Sequence, residues 1–123
     1  MYDHVGLKVK DLEASLRFYE AALAPLGHVL GPRDDMSAGF GLPGEPALWL
    51  YGAGDAAGGG AHVALRAATR TAVARFHAAG LRAGGRDNGG PGPRPDHGPA
   101  YHAAFLIDPD GNNVEAVCSA EAG

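Results

Sequence analysis

The amino-acid sequence contains an internal repeat, and this repeat constrains the fold more than any other feature. When the chain is shifted by 58 positions, the segment that begins at His4 aligns without a gap with the segment that begins at His62. Eight of the 21 positions from 4 to 24 are then identical, including a His-Val-x-Leu stretch and an Arg-Phe pair. Because self-similarity at a fixed period indicates repeated supersecondary units, we expect two copies of one unit.

Each copy has the pattern of a strand followed by a helix. Residues 5–9 alternate between apolar and other side chains, the period of a half-buried strand. Asp11 is a favourable helix N-cap, and apolar residues then recur at helical spacing until a Pro and a Gly end the helix. In the second copy the strand is predicted over 62–65, with Thr69 as the N-cap and Gly80 as the end of the helix.

Short strands with Gly and Pro between them follow each helix. They are predicted over 28–31, 37–42 and 47–51 in the first half and over 83–86, 100–107 and 112–117 in the second. The Gly- and Pro-rich stretch 87–99 has the composition of a loop. The sequence therefore predicts an α+β fold in one domain, with a βαβββ module over 1–51, a Gly-rich linker over 52–60 and a second βαβββ module over 61–118.

Composition excludes several classes of protein. The chain has 123 residues, a net charge of −4, scattered basic residues and one cysteine. These values disfavour a nucleic-acid or membrane partner, an internal disulfide and a CxxC metal motif. The first residues do not form a signal peptide, so we expect a cytoplasmic protein.

Three residues of the repeat have the pattern of a metal site. If the apolar residues of 5–9 pack against the helix, His4 lies on the opposite face of its strand, and the repeat places His62 at the same position in the second module. Glu115 lies in an otherwise apolar last strand, where an unpaired carboxylate is costly. A strand histidine is more often exposed or hydrogen-bonded, but two repeated histidines with a carboxylate are typical of a 2-His-1-carboxylate metal site.

The repeat and the closing motif resemble the vicinal oxygen chelate superfamily, which includes glyoxalase I, extradiol dioxygenases, methylmalonyl-CoA epimerase and the bleomycin and fosfomycin resistance proteins. The motif is the Asp-Pro-Asp-Gly-Asn-Asn-Val-Glu run over 108–115, and the resemblance covers essentially the whole chain. It implies a curved-sheet cleft with His4, His62 and Glu115 as ligands of one divalent metal ion, of iron, manganese, nickel, cobalt or zinc.

The resemblance implies a metal-dependent enzyme that acts on a small oxygen-rich substrate through bidentate chelation, but two departures leave its reaction open. Aligning 47–51 with 113–117 puts Trp49 where glyoxalase I has a fourth ligand, and Phe105 stands where extradiol dioxygenases have a tyrosine. A lyase or isomerase of the glyoxalase type and a ring-cleaving dioxygenase both stay open. The alternative is a metal-free, drug-sequestering protein of the bleomycin-resistance type.

The catalytic candidates are Glu115, His97 and Tyr101. His97 precedes the closing motif at a spacing similar to that of the dioxygenases, where it would be a base near the metal, although a surface loop histidine is an equal interpretation. Tyr101 shares strand parity with Phe105 and so is expected either to face the cleft or to be a structural aromatic.

The substrate-binding candidates are aromatic and polar residues near the expected cleft. Trp49 and Phe105 are expected to line it, with core packing as the alternative for Trp49, and Arg86 and Asn88 are expected to bind a substrate carboxylate or carbonyl. Because each module is a small open sheet with exposed edges, we also expect a homodimer, as in many members of the superfamily.

Overall fold

The computed structural model describes residues 1–119, which form two modules with the same order of elements. The first module contains β1 (Val5–Val9), α1 (Leu12–Leu23), β2 (Val29–Arg33), β3 (Ser37–Leu42) and β4 (Glu45–Gly52). The second contains β5 (His62–Arg66), α2 (Arg70–Arg82), β6 (Arg86–Pro93), β7 (His102–Ile107) and β8 (Asn113–Cys118). The strand orders are β1-β4-β3-β2 and β5-β8-β7-β6, with the first pair of each sheet parallel. The predicted α+β fold with two βαβββ modules is confirmed.

Both helices begin at the predicted caps. The Asp11 carboxylate accepts a hydrogen bond from the backbone N–H of Ala14, and the Thr69 hydroxyl accepts one from Ala72. The predicted end of the second helix at Gly80 is wrong, because α2 continues to Arg82. Gly80 serves close packing instead: a Cβ there would lie 2.3 Å from Leu106 Cδ1 in the same module and 3.3 Å from Phe18 Cε1 of α1 in the other.

The predicted loop over 87–99 is also wrong in its first half. The chain from Arg86 to Pro93 is the edge strand β6, which pairs irregularly with β7, whereas the sequence predicts the strand over 83–86. An edge strand tolerates proline because one side of its backbone needs no partner. Gly89 lies opposite Phe105, and a Cβ there would lie 3.0 Å from the Phe105 ring. A glycine in this stretch therefore does more than form turns, because Gly89 leaves room for the Phe105 ring.

The two modules meet through their helices and share one apolar core. Helix α1 packs against the first sheet, α2 packs against the second, and the helices contact each other. A buried polar contact also links the modules, since the Tyr19 hydroxyl of α1 donates to the Asp108 carboxylate before β8. Each sheet therefore has one face covered by its own helix, and the opposite face is turned away from that helix.

We call these opposite faces the module 1 face and the module 2 face. The module 1 face carries Lys8, Trp49 and Tyr51, and the module 2 face carries His62 and Glu115, by the alternation of side chains along each strand. Neither α1 nor α2, the α-helices of the described residues, is long and apolar enough to cross a membrane.

Candidate functional site

The module 2 face brings together an imidazole and a carboxylate. Ala64 of β5 lies beside Glu115 of β8 in the parallel register, and His62 lies two positions before Ala64 on the same face. His62 Nε2 is 2.8 Å from Glu115 Oε1. The His62 side chain is 55% exposed, whereas that of Glu115 is 3% exposed. One partner is therefore accessible to a ligand, and the other is held beneath it.

Tyr101 fixes the second oxygen of the same carboxylate. Its hydroxyl donates a short hydrogen bond to Glu115 Oε2. This bond raises the pKa of Tyr101 to about 12, with burial and the charge of Glu115 as further causes. The phenol consequently stays protonated near neutral pH and keeps the carboxylate oriented. Because a buried carboxylate needs hydrogen-bond partners, His62 and Tyr101 together account for the burial of Glu115.

Aromatic side chains line the module 2 face around this pair. Phe105 of β7 lies opposite Glu115 in the antiparallel register, and its ring centroid is 6.5 Å from that of His62. The His97 ring lies 5.1 Å from the Tyr101 ring. His97 is exposed in the turn before β7 and reaches the site through Tyr101. The apolar Phe105 ring and the polar Tyr101 and His97 side chains thus lie together beside Glu115.

The two predicted polar substrate contacts lie in different surroundings. Asn88 Nδ2 donates to Asn113 Oδ1 at 3.2 Å, and Asn113 shares the face of Glu115 along β8. Arg86 is exposed and pairs with Ile107, two positions beyond Phe105 along β7. Asn88 is therefore linked to the module 2 face through Asn113, whereas Arg86 lies at the far end of β6.

His4 does not join His62 and Glu115 within one chain. Its Nδ1 is 2.7 Å from the carboxylate of the adjacent Asp3, and it precedes β1 in the other module. Across residues 1–119, no group of three or more His, Cys, Asp or Glu side chains could hold a metal ion. The structure thus brings together two of the three predicted ligands and leaves the third on the first module.

Trp49 occupies the position that the repeat assigns to Glu115. It pairs with Gly6 as Glu115 pairs with Ala64, and Gly6 and Ala64 are 58 positions apart. The Trp49 ring stacks against Tyr51 with 6.5 Å between centroids and 16° between planes. The module 1 face therefore presents flat aromatic rings where the module 2 face presents a carboxylate.

The His62–Glu115 geometry fits the edge of a metal coordination shell. Metal–nitrogen and metal–oxygen bonds of about 2.0–2.2 Å at right angles place adjacent ligand atoms about 3 Å apart. The observed separation of 2.8 Å is close to this value. An imidazole with a carboxylate also suits divalent iron, manganese, nickel, cobalt and zinc. One chain therefore brings together two side chains of the metal-binding type, and a metal site would need at least one more ligand.

Sequence reasoning missed Arg94, which lies over Phe105 with Cζ 5.4 Å from the ring centroid. The signal was an arginine within the stretch that was interpreted as a Gly/Pro loop. That stretch begins as strand β6 and pairs with β7. The pairing brings its side chains near Phe105, which a loop assignment does not predict.

Comparisons with known proteins agree with this architecture. A family model described as Glyoxalase/Bleomycin resistance protein/Dioxygenase superfamily matches residues 2–116. The chain is similar to the structure of a glyoxalase/bleomycin resistance protein from Albidiferax ferrireducens T118, at 30% identity over 96% of this chain and 98% of that chain, with a TM-score of 0.81. It is also similar to glyoxalase I from Zea mays, at 29% identity over 94% of this chain but only 45% of that chain, with a TM-score of 0.73. A comparison with curated proteins found no match.

Proposed function

Because the chain belongs to the Glyoxalase/Bleomycin resistance protein/Dioxygenase superfamily, we propose that it is a metal-dependent enzyme acting on a small oxygen-rich organic molecule. Members of this superfamily typically use a divalent metal ion. The reaction is of the lyase or isomerase type or of the ring-cleaving dioxygenase type. The observation that carries the proposal is the His62–Glu115 pair, whose facing atoms are 2.8 Å apart on an accessible sheet face.

The residues around this pair have separate roles in the proposal. His62 and Glu115 hold the metal ion, and Tyr101 positions the Glu115 carboxylate by donating to its other oxygen. Phe105 and His97 border the substrate on one side. A bound divalent ion would supply Lewis-acid polarisation of substrate oxygens.

We also propose that a homodimer completes the site, with His4 of one copy approaching the His62–Glu115 pair of another. Two observations support this arrangement. His4 lies outside the pair within one chain, and the module 1 face carries the half-buried Trp49 and the 42% exposed Tyr51, which a second copy would cover. Burial of such rings favours association by about 25 cal/mol per Å² of apolar surface.

Metal titration tests the proposed pair directly. Metal-stripped protein is titrated with Co²⁺, Ni²⁺ and Zn²⁺ by calorimetry, and we expect about one ion per chain for the wild type. His62→Ala removes a ligand and is expected to weaken binding by more than tenfold. His77→Ala is the matched control, since His77 forms a similar pair with Asp87, at 2.9 Å, away from this face. Absence of binding to the wild type, or equal binding to His62→Ala, would refute the metal site.

Mixing variants tests whether two chains build each site. His4→Ala and Glu115→Ala are purified separately, shown to be folded by circular dichroism, and then mixed. If each site draws on both chains, the mixed dimers regain one intact metal site in every two. If all ligands come from one chain, mixing restores no binding. A sedimentation mass near the monomer value of 12.5 kDa at the working concentration would contradict the dimer.

A metal-free sequestering protein is the second candidate, and one observation favours it. The Glu115 carboxylate already has hydrogen bonds to His62 and Tyr101 without an ion. The module 2 face could therefore form the wall of a drug-binding pocket with no metal present. Trp49, Tyr51 and Phe105 would then serve drug binding. Fluorescence of Trp49 separates the two candidates, because sequestration predicts a response to a bleomycin-type drug and no response to metal.

A further inference from the structure

Arg94 lies on the module 2 face, where the Phe105 ring stands between it and His62. Its guanidinium carbon is 5.4 Å from the centroid of the Phe105 ring. The Phe105 centroid is in turn 6.5 Å from that of His62, and Phe105 lies opposite Glu115 in the β7–β8 register. A small molecule that contacts the His62–Glu115 pair and the Phe105 ring therefore comes within reach of Arg94.

The backbone of β6 holds this guanidinium in place. Arg94 Nη2 donates to the carbonyl of Gly90 at 2.7 Å, and Nη1 donates to the carbonyl of Pro93 at 3.2 Å. Cβ atoms at Gly89 and Gly92 would lie 3.3 Å from Nη2 and Nη1 respectively, so the missing side chains leave room for the guanidinium. Arg94 is consequently ordered before any ligand arrives, which reduces the entropy lost on binding.

The charge of Arg94 has no counter-ion within the described part of the chain. No carboxylate oxygen of residues 1–119 forms an ion pair with it. Glu115 lies on β8, on the other side of β7 from β6, and its carboxylate is engaged by His62 and Tyr101. An arginine has five N–H donors in a planar fork, and two of them are used by backbone carbonyls. Three donors and a full positive charge are left for a ligand.

We infer that Arg94 binds a carboxylate of the small molecule that occupies the module 2 face, which makes small organic acids the class of ligand. Guanidinium and carboxylate match in a bidentate geometry, and Phe105 supplies the surface beneath the rest of the molecule. This inference rests on the proposed function for the position of the ligand. In this inference Arg94 recognises the carboxylate in place of Arg86, which lies at the opposite end of β6.

Pairs of acids and their neutral amides test the inference. Salicylate with salicylamide and pyruvate with pyruvamide are titrated into metal-stripped wild-type protein by calorimetry or ligand-observed NMR. We expect at least one acid to bind about 10- to 100-fold more tightly than its amide, the range for hydrogen bonds to a charged group. Arg94→Gln is expected to abolish this preference, and Arg94→Lys to retain only part of it, because lysine lacks the planar fork.

Arg75→Gln is the matched control, since Arg75 is exposed on α2, whose sheet separates it from this face. It is expected to keep the wild-type preference. The inference is overturned if the wild type shows no preference, or if Arg94→Gln keeps it. A preference that appears only after Zn²⁺ is added would assign the selection to chelation and would also overturn it. If the wild type binds no metal but keeps an Arg94-dependent preference, the inference stands and the proposed metal function falls.

Discussion

Tyr19→Phe should destabilise the protein by breaking a buried hydrogen bond between the modules. Tyr19 is fully buried, and its hydroxyl lies 2.5 Å from Asp108 Oδ2. The buried Asp108 carboxylate also accepts from the backbone N–H groups of Asp110 and Asn112 and from the Asn112 side chain, at 2.8–2.9 Å. The substitution removes one of four donors and leaves the ring packing unchanged.

The expected cost is about 2 kcal/mol, within the range of about 1.5–3 kcal/mol for hydrogen bonds to charged groups. The three remaining donors keep the carboxylate from being fully unsatisfied, so the cost should not reach that of an unpaired buried charge. For a domain of this size, a loss of 1 kcal/mol lowers Tm by about 4 °C. The predicted decrease in Tm is therefore about 8 °C, measured by calorimetry and by urea unfolding.

The pH dependence has a defined sign. Burial, together with the charge and hydrogen bond of Asp108, raises the pKa of Tyr19 above its ordinary value of 10.0. The contribution of this phenol is therefore complete below pH 10 and is lost as pH rises further, because Tyr19 ionises in the unfolded chain before it can in the folded one. Above pH 10 the wild type should lose up to about 1.4 kcal/mol per pH unit more than Tyr19→Phe.

A control and a refuting result complete the test. Tyr51→Phe removes the hydroxyl of an exposed tyrosine and should change stability by less than about 0.5 kcal/mol. If Tyr19→Phe is as stable as Tyr51→Phe, the buried hydroxyl does not stabilise the contact between the modules, and the reasoning is wrong.

Two further predictions concern the site and the first sheet. Tyr101→Phe should lower metal affinity by about 10- to 100-fold, the usual effect of losing a hydrogen bond to a ligand, and an unchanged calorimetric isotherm would remove its positioning role. Gly41→Ala should cost about 1–3 kcal/mol in urea unfolding, because the added Cβ would lie 2.1 Å from the backbone oxygen of Glu45. Gly58→Ala, with no atom within 4 Å of its Cβ, is its control, and equal stability of these two variants would contradict the packing argument.

The fold was predictable because the repeat can be detected by comparing the sequence with itself, and because the helix caps are local signals. Asp11 and Thr69 each satisfy a backbone N–H of the first helical turn, and such capping needs only a few neighbouring residues. The strand β6 was not predictable in the same way. Its glycines favour turns locally, and their place in a strand depends on pairing with β7, which is a tertiary contact.

The site was predictable only where strand register decides it. The repeat and the parity of β8 placed His62 and Glu115 on one face, and parity with Phe105 placed Tyr101 near them. The position of His4 depends on how the modules join, which no periodicity encodes. The position of Arg94 depends on the backbone carbonyls that hold it, so its contact with Phe105 could not be inferred from the composition of its segment.

The two modules carry different side chains at equivalent positions that face away from their helices. Trp49 stands in the first module where Glu115 stands in the second, and Gly39 stands where Phe105 does, since these pairs occupy equivalent rungs. A Cβ at Gly39 would lie 3.0 Å from the Trp49 ring, so the glycine lets that ring lie flat on its sheet. One face therefore presents the half-buried Trp49 ring and the exposed Tyr51 ring, and the other presents a buried carboxylate beside an accessible imidazole. Apolar rings gain by being covered, whereas a metal ion held by the pair would need at least one additional ligand. The proposed dimer would use this division by setting the module 1 face of one copy against the module 2 face of another.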